Sequence, residues 1–225
     1  MSKLATPAII VNFKVYREVE GAKAVSIALA CQKVAEESGV SVAVCPPAVE
    51  LSRVAAAVNI PVLAQHVDAR KPGSNTGWIT PEMIASAGAA GTLLNHSEHR
   101  LEITDLKNSV AACRSNGLLS IVCADSAETS GAVAFFRPDF IAVEPPELIG
   151  GDISVTMARP EVVSDAVNAV RRVDADIPVL CGAGVKTGKD VKAALELGAK
   201  GVLLASGVVK ASDVRKALSD LVSGI

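Results

Sequence analysis

Eight short aliphatic runs recur along the chain and constrain its fold more than any other feature. They are Ala8 to Asn12, Ser41 to Cys45, Pro61 to Ala64, Thr92 to Asn95, Leu118 to Cys123, Phe140 to Val143, Ile177 to Cys181 and Val202 to Leu204. Runs of this length, rich in Val, Ile and Leu, mark strands buried on both faces. Between them the apolar spacing turns helical: Val25, Leu29, Cys31 and Val34; Val110, Cys113 and Arg114; Val162, Val163, Ala166 and Val170; Val191, Ala194 and Leu195. The order is strand then helix, repeated.

Helix punctuation agrees with this alternation. Thr80-Pro81-Glu82 and Arg159-Pro160-Glu161 put proline at a first helical position, and Gly39, Gly88, Gly117 and Gly198 fall where helices should stop. No Ser/Gly/Pro-rich linker interrupts the pattern. Parallel strands joined by helical crossovers coil with one hand, and eight such units close on themselves. The expected architecture is therefore α/β, a single (β/α)8 barrel over residues 1–225 with eight parallel strands inside a ring of helices. Two echoes suit paired half-barrels: Ile60-Pro61-Val62-Leu63 with Ile177-Pro178-Val179-Leu180, and Gly88 to Leu94 with Gly198 to Leu204. Chance reuse of Gly and Ala in short turns explains them equally well.

Half of the 225 residues are hydrophobic but only 3% are aromatic, so Val, Ala, Leu and Ile must fill the core. A net charge of -2 without long like-charge runs argues against nucleic acid and against a polybasic membrane anchor. No apolar run approaches the roughly 18 to 20 residues that span a bilayer. The expectation is a cytoplasmic protein whose partners are small molecules. Cys31, Cys45, Cys113, Cys123 and Cys181 are odd in number, far apart and free of C-x-x-C spacing, which reads as reduced packing residues.

In such a barrel, reactive groups gather after the C-terminal ends of the strands, where the loops converge. The sequence becomes polar there: Asn12 and Lys14 after the first strand, Gln65, His66 and Asp68 after the third, Asn95, His96, Ser97 and Glu98 after the fourth, and Glu144 after the sixth. The seventh and eighth strands end in Gly182-Ala183-Gly184 and Ala205-Ser206-Gly207, loops whose N–H groups could hold a phosphate ahead of a helix. Pro145-Pro146 stiffen the chain after Glu144, as a rigidly aimed general base requires, and Gly150-Gly151 give the following segment the look of a hinged lid. No metal is expected, since the three histidines do not form H-E-x-x-H and His99 reads as a surface residue.

Together these residues resemble the triosephosphate isomerase family. Asn12-Phe13-Lys14 is similar to its N-x-K, Asn95-His96-Ser97-Glu98-His99-Arg100 to its H-S-E-x-R, and Ala142-Val143-Glu144-Pro145 to its base motif. Gln65 and Gly73-Ser74-Asn75-Thr76-Gly77 resemble the loop that reaches a neighbouring subunit, and Pro145 to Gly150 the moving lid. The short chain and the wording N-H-S-E and E-P-P-E-L-I-G resemble the archaeal branch. Three positions depart from the pattern: Gly151-Asp152 at the far hinge of the lid, Gly184 where many members have Ser, and Ala205-Ser206 where many have Gly-Gly.

The resemblance implies interconversion of dihydroxyacetone phosphate and glyceraldehyde 3-phosphate, in glycolysis and gluconeogenesis. It makes Glu144 the base, His96 the electrophile, Asn12 and Lys14 catalytic and substrate-binding, and Glu98 the partner that aims Lys14. Ile149, Gly150, Gly184, Ala205 and Ser206 would grip the phosphate. It implies no cofactor, and a homo-oligomer, a tetramer rather than a dimer. Residues Ile177 to Lys210 alone would equally fit another phosphate-binding barrel, such as a synthase or epimerase, or a non-catalytic sensor of sugar phosphates. Asn12, Lys14, His96 and Glu144 in combination argue for the isomerase.

Overall fold

The computed structural model describes residues 4–145, 156 and 159–225. Eight strands form one parallel sheet: β1 (Ala8–Asn12), β2 (Ser41–Cys45), β3 (Leu63–Ala64), β4 (Gly91–Leu94), β5 (Leu119–Ala124), β6 (Phe140–Val143), β7 (Val179–Gly182) and β8 (Gly201–Leu204). Neighbours run in the order β2-β1-β8-β7-β6-β5-β4-β3, and a parallel bridge between Val44 and Val62 closes the ring. This is the expected (β/α)8 barrel. Three strands occupy the residues foreseen, four are displaced by one or two, and the third is reduced to Leu63–Ala64.

Strand alternation divides the core into two layers. Ala8, Ile10, Ala43, Cys45, Leu63, Leu93, Ile121, Cys123, Phe140, Ala142, Leu180 and Leu203 fill the barrel, with Leu4 packed among them. The intervening residues, such as Ile9, Val11, Val42, Val44, Leu94, Val122, Ile141 and Val143, face the helices. A period of two with both sets apolar is why the strands read as continuous hydrophobic runs. At the N-terminal end of the barrel, Gly201 of β8 has φ +142, and a side chain there would collide with the Ala8 backbone.

The surrounding helices are α1 (Ala22–Ser38), α2 (Leu51–Ala55), α3 (Pro81–Ser86), α4 (Ile103–Ser115), α5 (Ala127–Ala134), α6 (Pro160–Val173), α7 (Gly188–Glu196), α8 (Ser206–Val209) and α9 (Val214–Val222). Pro81 and Pro160 open α3 and α6 as their sequences require. Thr187 and Asp190 form a reciprocal capping box on α7, and Gly39, Gly88, Gly117 and Gly198 follow helices with φ between +66 and +97. One helix face differs from expectation. The buried stripe of α1 is Ala24, Ile27, Ala28, Cys31 and Val34, while Leu29 is exposed. Alanines carry that contact because α1 lies close to the sheet, and the apolar spacing of larger residues does not reveal them.

All five cysteines are buried and unpaired. Cys45 and Cys123 lie inside the barrel, and Cys31, Cys113 and Cys181 lie under the helices. Burial pushes the Cys31, Cys113 and Cys181 thiols up to about 12, so they stay protonated and inert.

Candidate active site

The C-terminal mouth collects polar side chains from distant parts of the chain. Asn12, Lys14, His96, Glu144, Gly184, Ala205 and Ser206 line one pocket, together with Tyr16, Ala183, Lys186 and Gly207. Ile149 and Gly150, the remaining expected phosphate ligands, lie outside the described residues, as does Gly151-Asp152 and nearly all of the segment read as a lid.

Glu144 continues the inward register of Phe140 and Ala142, so alternation alone turns its carboxylate into the barrel mouth. Its backbone N–H donates to the Ala124 carbonyl at 2.8 Å. The side chain is 7% exposed, and Oε2 is buried without a hydrogen-bond partner among the described residues. Burial pushes the carboxyl pKa up, and the nearby His96, Cys123 and Lys14 pull it partly back. The carboxylate fits only because residue 182 lacks a side chain. A Cβ there would overlap Glu144 Cγ.

His96 is buried beside it, with Nε2 3.7 Å from Glu144 Oε2. That distance exceeds a hydrogen bond. The Glu98 backbone N–H donates to His96 Nδ1 at 3.2 Å, which engages the Nδ1 lone pair and leaves Nε2 to carry the ring proton. The structure thus supplies the tautomer, which no sequence can. His99, expected at the surface, is exposed there and stacks on His66 with ring centroids 4.1 Å apart.

Lys14 stands opposite, its side chain only 10% exposed, with Nζ 2.8 Å from Glu98 Oε1. The expected pairing with Glu98 is therefore made. Lys14 adopts φ +48, and its N–H donates to Asn12 Oδ1 at 2.9 Å. Gln65 Nε2 donates to the carbonyls of Lys14 and Cys45, both at 2.9 Å. Among the described residues, the non-glycine positions with positive φ are Lys14, Asn95, Arg137 and Ala183. Three of the four stand at this mouth, where strained backbone is used to aim functional groups.

Asn95, Gln65 and the Gly182-Ala183-Gly184 loop were read at the mouth, but the room Gly182 makes for Glu144, the positive φ of Asn95 and Ala183, and the clamp made by Gln65 were not. For Gly182, Asn95 and Gln65 the role is dictated by a residue distant in sequence: Glu144, Cys123 and Cys45. The positive φ at Asn95 carried a weak local signal, because Asn tolerates that region better than other non-glycine residues.

A closed parallel barrel with a buried carboxylate, an imidazole and an ammonium group at its C-terminal mouth defines a barrel enzyme suited to moving a proton on an anionic small molecule. The triosephosphate isomerase family model matches residues 7–222. The triosephosphate isomerase of Methanothermobacter thermautotrophicus is 50% identical over 98% of this chain and 96% of its own. Those of Methanopyrus kandleri and Methanocaldococcus jannaschii are 52% and 51% identical, over 99% and 96% of this chain and 99% of their own lengths. The chain belongs to the triosephosphate isomerase family, and its relatives include those of methanogenic archaea, the branch its wording suggested.

Proposed function

We propose that this chain interconverts dihydroxyacetone phosphate and D-glyceraldehyde 3-phosphate, with Glu144 as the base and His96 as the electrophile. One observation carries the assignment of roles: Glu144 Oε2, buried and without a hydrogen-bond partner among the described residues, lies 3.7 Å from His96 Nε2 in a pocket shared with Lys14. Glu144 removes a proton from C1 of the ketose, and the electron pair moves onto the C2 carbonyl oxygen to give an enediolate. The His96 Nε2–H hydrogen-bonds that oxygen as charge develops, and Lys14 and Asn12 add fixed positive potential. The C1 hydroxyl proton passes to the C2 oxygen by way of His96, the protonated Glu144 returns its proton to C2, and the C1 oxygen is left as the aldehyde carbonyl. The neutral imidazole is the general account for this family, and the Glu98 N–H at Nδ1 supports it here.

A carboxyl group raised by burial accepts a carbon-bound proton better than an ordinary one. Gly184, Ala205 and Ser206 hold the phosphate through backbone N–H groups, with Ile149 and Gly150 from the lid, and Lys14 offsets its charge. No cofactor is needed.

We read the protein as one barrel domain working in the cytoplasm, in glycolysis and gluconeogenesis, as a homo-oligomer. Among the described residues no helix is long and apolar enough to cross a membrane. The loop from Arg70 to Trp78 is braced at its base, where the Asp68 N–H donates to the Ile79 carbonyl at 2.7 Å and Asp68 Oδ2 accepts the Ile79 N–H at 2.9 Å. Beside Lys14 lies a cavity of about 450 Å³, lined partly by Val15, Val49, Gln65 and His99, that suits such a loop from another copy. A tetramer is favoured over a dimer, as the resemblance to the archaeal branch implies. Light scattering on the eluting protein should give the mass of four chains.

The activity is tested by following glyceraldehyde 3-phosphate isomerisation through a coupled dehydrogenase, with Glu144→Gln alongside. The variant removes the base with little change in volume, and turnover should fall by roughly 10²–10⁴-fold while 2-phosphoglycolate still binds. Unchanged turnover would end the assignment of Glu144.

A further inference from the structure

His96 should not reach the pocket by strand alternation. Leu93 faces the barrel interior and Leu94 the helices, so Asn95 is due inward and His96 outward. Asn95 breaks the alternation with φ +59, and His96 turns into the mouth beside Glu144.

The Asn95 side chain does more than tolerate this turn. Its Nδ2 donates to the Cys123 carbonyl of β5 at 3.1 Å, and its Oδ1 accepts the Leu101 N–H at 3.0 Å. One partner can only accept and the other can only donate, so the amide has a single orientation. The bond to Leu101 ties off the loop that carries His96 and Glu98, which a His99 N–H to His96 carbonyl bond of 2.8 Å closes from within. The bond to Cys123 anchors this loop to β5. The next residue of β5, Ala124, receives the Glu144 N–H. The electrophile and the base are therefore held from adjacent residues of one strand.

We propose that Asn95 is a positioning residue for proton transfer, its amide setting the spacing of His96 from Glu144 by pinning the His96 loop to β5. The inference rests on His96 and Glu144 having the roles given above. It differs from a purely conformational account in one respect. Glycine adopts positive φ more readily than asparagine, so if the turn alone mattered, Asn95→Gly would be as active as the parent.

The test measures kcat and KM for Asn95→Gly and Asn95→Asp, with melting temperature, 2-phosphoglycolate affinity and the ¹⁵N signals of His96. Asn95→Asp keeps the acceptor for Leu101 and loses the donor to Cys123, and it decides by the same criteria should the glycine variant not fold. The expected result is a fall in kcat of about tenfold or more with KM and inhibitor affinity within about threefold, and a displaced His96 Nδ1 signal, since misplacement of about 1 Å can cost 10²-fold. A smaller fall in kcat, or one matched by an equal rise in KM, overturns the proposal. Glu144→Gln measured in parallel separates the failures. If it keeps full turnover, the assignment of the base has failed and the proposal falls with it. If it is inactive, the Asn95 result bears on Asn95 alone.

Discussion

The two ends of the barrel are built from the same strands and obey opposite rules. At the N-terminal end the interior is carbon: Leu4, Ala8, Phe140 and Leu63 are at most 6% exposed. At the C-terminal end the same inward register delivers Asn12, Gln65 and Glu144, with a buried carboxylate oxygen that has no hydrogen-bond partner among the described residues. Burying apolar surface stabilises a fold, whereas burying an ionisable group costs stability unless it is paired. The lower barrel stabilises the fold and the mouth spends part of that stability on chemistry.

The largest effect should come from the middle of the barrel. Leu180→Ala empties a fully buried inward position and should destabilise the protein by about 2–5 kcal/mol in denaturant melts. Turnover per folded molecule at permissive temperature should stay within a few-fold of the parent. A stable but inactive variant would break the separation between the two ends.

Two glycine substitutions then sharpen it. Gly182→Ala pushes against a side chain that can move, Glu144, so kcat should drop on the order of 10²-fold with little change in melting temperature. Gly201→Ala pushes against backbone at positive φ, which cannot yield, so it should cost stability of about 1–3 kcal/mol and leave kcat nearly intact. Exchange of these two phenotypes would contradict the comparison.

A smaller change is expected for Lys14→Ala. Its Glu98 partner is 58% exposed, so the lost ion pair should barely affect melting. Calorimetry should show 2-phosphoglycolate binding weakened by roughly tenfold or more, the range for a hydrogen bond to a charged group. Equal affinity would return Lys14 to the ordinary surface.

The smallest effect concerns pH. Burial raises the Glu144 pKa above its ordinary value of 4.5. Between that value and the raised one, the folded protein holds more protons than the unfolded chain, so its stability falls as pH rises through the window. Glu144→Gln should thus melt above the parent by a few degrees at neutral pH, and the gap should close as pH falls toward 4.5. A gap independent of pH would show that the carboxylate is not desolvated in the folded state.

The sequence located the strands well where both faces of a run were apolar. Ala8–Asn12, Ser41–Cys45 and Phe140–Val143 match residue for residue. It failed at the third strand because Pro61 and Val62 have the right composition, yet the ladder to β2 there narrows to one bridge at Val62. Strand ends are set by the partner's backbone, and the partner is distant in sequence. Asn12, Lys14, His96, Glu98 and Glu144 were legible because a polar residue at the end of an aliphatic run has little reason to be there in a packed barrel. Gln65 was read at the mouth, but its clamp on Lys14 was not, since the acceptors are a carbonyl of β2 and one of the loop after β1, both distant in sequence.

Periodicity, punctuation and the motif residues by themselves determined the repeated strand-helix unit, the barrel and the family, because these depend on local pattern and on side chains whose chemistry is written in their identity. Tertiary structure alone decided the ring nitrogen that carries the His96 proton, the glycine that makes room for Glu144, and the backbone twist that turns His96 inward. Those properties belong to pairs of atoms brought within a few ångströms by closure of the barrel, and no single residue encodes them.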